Sequence, residues 1–126
     1  MIESYDPLIA PDPEDWLSAD EQERLRLVEA YHRKAGVKLP NRTAHAVIHV
    51  VVENQAALGD DTAARETMER LAREGLDRHE AVHAVGSVLI GFMQAVIDGD
   101  GASEATEQYN QELETLTAVK WRKSFE

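Results

Sequence analysis

Four glycines, Gly36, Gly59, Gly75 and Gly99, close segments of helical periodicity, and a capping residue stands at or near the start of the segment after each break. This punctuation constrains the fold more than any other feature of the chain. Glycine just past a helix tolerates left-handed backbone, and Ser, Asn or Asp just before one satisfies N–H groups that have no partner inside it. Ser18-Ala19-Asp20-Glu21 spells a capping box, after which Leu25, Val28, Tyr31 and Ala35 recur at helical spacing until Gly36. Asn41, after Pro40, caps a second helix that ends at Leu58, before Gly59-Asp60-Asp61. Thr62 to Glu74 forms a third, with Met68, Leu71 and Ala72 facing inward. Asp77-Arg78-His79-Glu80 is a second capping box and starts a fourth helix running to Asp98. Ser103 caps a fifth, with Tyr109, Leu113 and Leu116 as its stripe and Lys120, Arg122 and Lys123 where positive charge complements the helix dipole.

The stretch from Ala44 to Val52 is apolar nearly all round and rich in β-branched residues, which admits a strand. The caps that bracket it favour a central, buried helix instead. With no convincing alternating pattern elsewhere, the chain is expected to be all-α, a compact bundle of about five helices. Pro7, Pro11 and Pro13 keep the first residues out of regular helix, so residues 1–17 read as an extended arm lying over the surface or a partner. Within that arm Asp12-Pro13-Glu14-Asp15 can cap a short turn around Trp16 and Leu17. Residues 18–126 then form a single helical domain, as a chain of 126 residues allows.

Composition narrows the chemistry. Net charge is −11, from 24 acidic against 13 basic residues, which argues against a nucleic-acid partner. The N-terminus lacks a secretory pattern, and the apolar stretch Val85–Ile97 is interrupted by Gly86, Ser87, Gly91 and Gln94. A cytoplasmic protein without a membrane segment is the expectation. The chain has no cysteine, so a transition-metal site here must use imidazole and carboxylate.

Five histidines supply that imidazole. His45 with His49, and His79 with His83, are spaced i, i+4, which puts each pair on one helical face with the rings able to converge on one ion. One more turn from His49 reaches Glu53, a further candidate ligand. At 100° per residue, His45 and His49 share an arc with Ile48, Val52 and Ala56. His79 and His83 line up with Gly86, Ile90, Met93 and Ile97. Both pairs therefore point inward, where a shared zinc or iron ion would satisfy four nitrogens that are otherwise costly to bury. Gly86, one turn past His83, would let a neighbouring helix approach. His79-Glu80-Ala81-Val82-His83 matches the HExxH pattern, in which the glutamate activates a metal-bound water. Glu80 is equally the acid that the Asp77 capping box requires. Inward histidines also occur as plain hydrogen-bonded core residues, and Glu53-Asn54-Gln55 also reads as a solvated edge. His32, beside Arg33 and Lys34, is expected at the surface, while Tyr31, Tyr109, Met68 and Met93 are expected in the core.

At His45-x-x-x-His49-x-x-x-Glu53-Asn54-Gln55 and His79-Glu80-Ala81-Val82-His83, the sequence resembles a group of short bacterial proteins classed as a domain of unknown function. The likeness spans residues 44–90 and implies that these positions act as a unit, without supplying a reaction. The pairs His49 with Glu53 and His79 with His83 are also similar to elements of haemerythrin-like di-iron bundles, whose remaining histidine ligands are not evident here apart from His32. Two functions follow. One is a metalloprotein with His45, His49, His79 and His83 as ligands and Glu53 nearby, in which Glu80 or Glu53 serves as general base for metal-assisted hydrolysis. The other is a metal-free helical interaction module or structural homodimer.

Overall fold

The computed structural model describes residues 2–36, 41–59, 62–99 and 101–123, apart from the side chains of Ala102 and Ser103. Among these residues the only regular elements are seven helices: α1 (Pro13–Ser18), α2 (Glu21–Lys34), α3 (Arg42–Leu58), α4 (Ala64–Arg73), α5 (Arg78–Ile97), α6 (Ala102–Thr115) and α7 (Ala118–Lys123). The all-α class stands. Pro40, Asp60, Asp61 and Asp100 lie outside the described residues, and α6 begins at Ala102 with Gly101, not Ser103, at its cap position.

Local chemistry sets most of the boundaries. Asn41 accepts from the Ala44 amide, and Asp77 and Glu80 close the expected capping box at the start of α5. Asp20, and not Ser18, caps α2 by accepting from the Glu23 amide, because Ser18 already ends α1. The turn at Trp16 and Leu17 is a helix of its own, begun by Asp12 and Pro13. The C-terminal segment expected as one helix is two, since the Leu116 cap is extended and separates α6 from α7.

Two apolar clusters make the core. One gathers Val52, Met68, Leu71, Val82, Val85, Leu89, Tyr109 and Leu113 from α3, α4, α5 and α6. The other gathers Tyr5, Trp16, Leu27, Val28, Ala46 and Val50 from the arm, α1, α2 and α3. α3 belongs to both, which is why its valines are apolar all round and why packing outweighs their modest helix propensity. Its other neighbour is α5, and the two approach closely at Gly86. A Cβ there would sit 2.7 Å from Ile48 Cγ2. The contact brings the histidine-bearing turns of the two helices face to face.

α5 is, by length and composition, long and apolar enough to cross a bilayer, in contrast to the expectation from the interrupted stretch. In this fold it packs against α3, α4 and α6. Its first half is core, whereas Ile90, Met93, Val96 and Ile97 are exposed, so Met93 is not the core residue expected. Ala72 is exposed as well, because α4 turns Met68 and Leu71 inward instead.

The arm is not a loose cover. Trp16 is 0% exposed, and its indole N–H donates to Asn54 Oδ1 at 2.9 Å. Trp16→Ala should therefore cost 3–5 kcal/mol, roughly the range for a fully buried Trp or Phe cut to Ala. Urea unfolding followed by circular dichroism measures it, and an unchanged midpoint would show that the arm is dispensable.

Candidate metal centre

All five histidines meet at one place. α2 contributes His32, α3 contributes His45 and His49, and α5 contributes His79 and His83. The His49 ring is central, with centroids 4.8 Å from His32, 4.9 Å from His45, 5.1 Å from His83 and 5.3 Å from His79. Two three-histidine sets, His32/His49/His79 and His45/His49/His83, each have ligating nitrogens within 4.8 Å of one another. They share His49. Among the described residues no carboxylate joins either set.

His32 corrects the expectation of a surface residue, being 5% exposed. Its position was legible, since it follows Val28 by four residues and Leu25 by seven and so lies on their face of α2. The adjacent Arg33 and Lys34 obscured this, because they point the other way and are exposed.

Hydrogen bonding fixes where the protons sit. His32 Nδ1 lies 2.9 Å from the Val28 carbonyl, which can only accept, so Nδ1 carries hydrogen and Nε2 presents a lone pair. That Nε2 is buried without a partner, as is His79 Nε2. At His49, Nδ1 is 3.1 Å from the Tyr5 hydroxyl, whose one hydrogen goes to Glu53 Oε2 at 2.6 Å. The hydroxyl therefore accepts from His49 Nδ1–H, leaving His49 Nε2 without hydrogen and able to accept from His83 Nε2–H at 3.1 Å. Two imidazole nitrogens on one tetrahedral ion stand about 3.3 Å apart for metal–nitrogen bonds near 2.05 Å, so this pair is already close to ligand spacing.

Behind Tyr5 the network continues. Glu53 accepts from Arg78 at both oxygens, 2.7 Å and 2.8 Å, in a bidentate pair with the carboxylate side chain only 1% exposed. Arg78 Nη1 also donates to the Pro7 carbonyl at 3.0 Å, tying the arm to the same pair. Burial and the Glu53 charge raise the Tyr5 pKa well above its ordinary value, so the phenol stays protonated.

Glu53 is thus placed behind His49, with both oxygens engaged by Tyr5 and Arg78. Glu80 takes part in the capping box of α5, accepting from the Asp77 amide at 3.4 Å. The Glu53-Asn54-Gln55 stretch is no solvated edge. Its three side chains accept from Tyr5, Trp16 and Tyr109 respectively. Sequence reasoning missed Tyr5 and Arg78, and no local signal marks a tyrosine in an irregular arm. Tyr31, half-buried, lies edge-on to His32 and His79.

Desolvation, reinforced by neighbouring imidazoles, pushes His49 down to about 2 and His83 down to about 4, and lowers His45 and His79. At neutral pH the rings are uncharged, the form that binds metal. His45, His49 and His83 also line one end of an open groove of about 680 Å³ between α3 and α5. Three neutral imidazoles with a fourth direction open to a groove can hold a transition ion together with water.

Comparison of the chain with protein-family models, curated proteins and solved structures finds no match.

Because His49 is neutral in the fold and ionises readily once unfolded, the unfolded state takes up the extra proton as pH falls below about 6.5. Stability of the metal-free chain should therefore decline on that side, with His49 alone contributing a loss of roughly 2 kcal/mol by pH 5. Chemical denaturation at pH 7.5 and pH 5 in the presence of a chelator measures this, and His49→Gln should flatten the dependence.

Proposed function

We propose that this chain is a metalloprotein whose histidine cluster binds a transition ion, zinc or iron. The observation that carries the reading is the pair of buried, unpartnered nitrogens, Nε2 of His32 and of His79, in one three-histidine set with His49. Burying such acceptors without a partner costs free energy, and an ion supplies one partner to several at once. Nδ1–H of His32 donates to a carbonyl and that of His49 to a hydroxyl, which is how ligating imidazoles are held in the correct tautomer.

The orphaned nitrogens belong to the His32/His49/His79 set; in the hydrolytic form of this proposal the ion sits instead on the set that shares His49, namely His45, His49 and His83, at the groove. An ion in that setting lowers the pKa of bound water to about 7. The chain's own contribution is orientation. Arg78 fixes Glu53, Glu53 fixes Tyr5, and Tyr5 fixes the His49 ring. Glu53 then serves behind the ligand and Glu80 at the helix cap, so neither stands in the general-base role expected of it. Kinship with the short bacterial proteins that share these motifs belongs to the same proposal. A metal-free homodimer is the second reading, favoured by the exposed Ile90, Met93 and Ile97 on α5.

Tag-free protein expressed with zinc and iron in the medium should carry about one ion per chain by elemental analysis. His49→Ala should abolish binding, since both histidine sets need it. Wild-type protein free of transition metal would overturn the proposal. Tyr5→Phe should weaken affinity by roughly 10–100-fold while the fold persists, the usual effect of removing the group that orients a ligating histidine.

A further inference from the structure

We propose that the groove beside His45, His49 and His83 binds a linear aliphatic carboxylate, its head at the ion and its tail along α5. This rests on the metal reading above and assigns the ligand class of the same site. The groove holds about 680 Å³, within the range of small-molecule sites. Its polarity is one-ended. The histidines stand at one end, and Ile48, Ile90, Met93, Ile97 and Trp121 line the remainder. The other polar residues on it, Ser87 and Gln94, already donate to the Ala84 carbonyl and to Asp98. A ligand there finds its cluster of polar anchors at the imidazoles, and a mostly apolar wall beyond.

The sign of the head group follows from charge. The ligand set contains no carboxylate, so an ion held by it keeps its full positive charge. Among the described residues no Asp or Glu lines the groove, although the chain as a whole carries −11. An anionic head is therefore matched at the ion and meets no like charge along the wall. The exposure of Ile90 and Met93, 56% and 38%, is what a tail would cover.

The test uses full-length chain, stripped and reloaded with Co(II), whose visible absorption reports ligands entering its coordination shell. Co(II) uptake is recorded first, then decanoate, butyrate and decan-1-ol are titrated by calorimetry and absorption. Decanoate should bind at least tenfold more tightly than butyrate, because its longer tail buries more methylenes. It should also change the Co(II) spectrum, which decanol should not. Ile90→Glu should weaken decanoate at least tenfold and leave Co(II) uptake intact, and the exposure of that position makes the variant safe for folding. Equal binding of decanoate and butyrate, or an unchanged spectrum, would overturn the proposal while the metal reading stands. Failure to take up Co(II) at all overturns both. A dimer in sedimentation velocity that Ile90→Glu dissociates and decanoate does not disturb would assign the groove to a second copy, and also overturns it.

Discussion

Everything around the centre depends on one desolvated imidazole, that of His49. It is fully buried between two cores, and neither of its nitrogens reaches bulk water. Such a group is tolerable only if each nitrogen is met by something fixed. Tyr5 meets Nδ1, Glu53 meets Tyr5, and Arg78 meets Glu53, so a neutral ring is tethered through a neutral phenol to a buried ion pair. The ion pair in turn carries further hydrogen bonds, from Arg78 to the Pro7 carbonyl and from Tyr5 to Glu53, which offset part of the cost of burying its charges. Three parts of the chain distant in sequence, the arm, α2 and α5, converge on this ring beside its own helix, α3.

That convergence explains the two-core architecture. α3 could not be buried on one side alone, since Val52 faces the α4–α5–α6 cluster while Ala46 and Val50 face the arm, α1 and α2. The histidines occupy the seam where these clusters meet. A seam between apolar clusters is dry enough to keep imidazoles neutral, yet it opens at the α5 end into solvent. Ligand character and access are both set by where α5 stops being covered.

The helices were legible because their ends obey local chemistry: Asn41, Asp77 and the glycines act within a turn of themselves. The two histidine pairs were legible for the same reason, as spacing on one helix is a local property. What escaped was non-local. His32 reaches the cluster only because α2 lies across α3, and the flanking Arg33 and Lys34 gave its neighbourhood a polar look. Tyr5 sits in a proline-rich arm with no period at all, and Arg78 was read only as part of a capping box. Glu53 was marked from its register with His49 as a ligand or general base, whereas both its oxygens are taken by Tyr5 and Arg78. Its role depends on Arg78 and Tyr5, which stand 25 and 48 residues away in sequence.

The missing side chain at Gly86 has a consequence beyond packing. With Ile48 where a Cβ would intrude, this one contact sets the separation of α3 and α5 one turn from His83 and one turn from His45. Those helices carry four of the five imidazoles. The glycine therefore works as a gauge block: the gap it permits is transmitted rigidly to the distance across the cluster. The spacing of the histidine cluster is written partly in an atom that is not there.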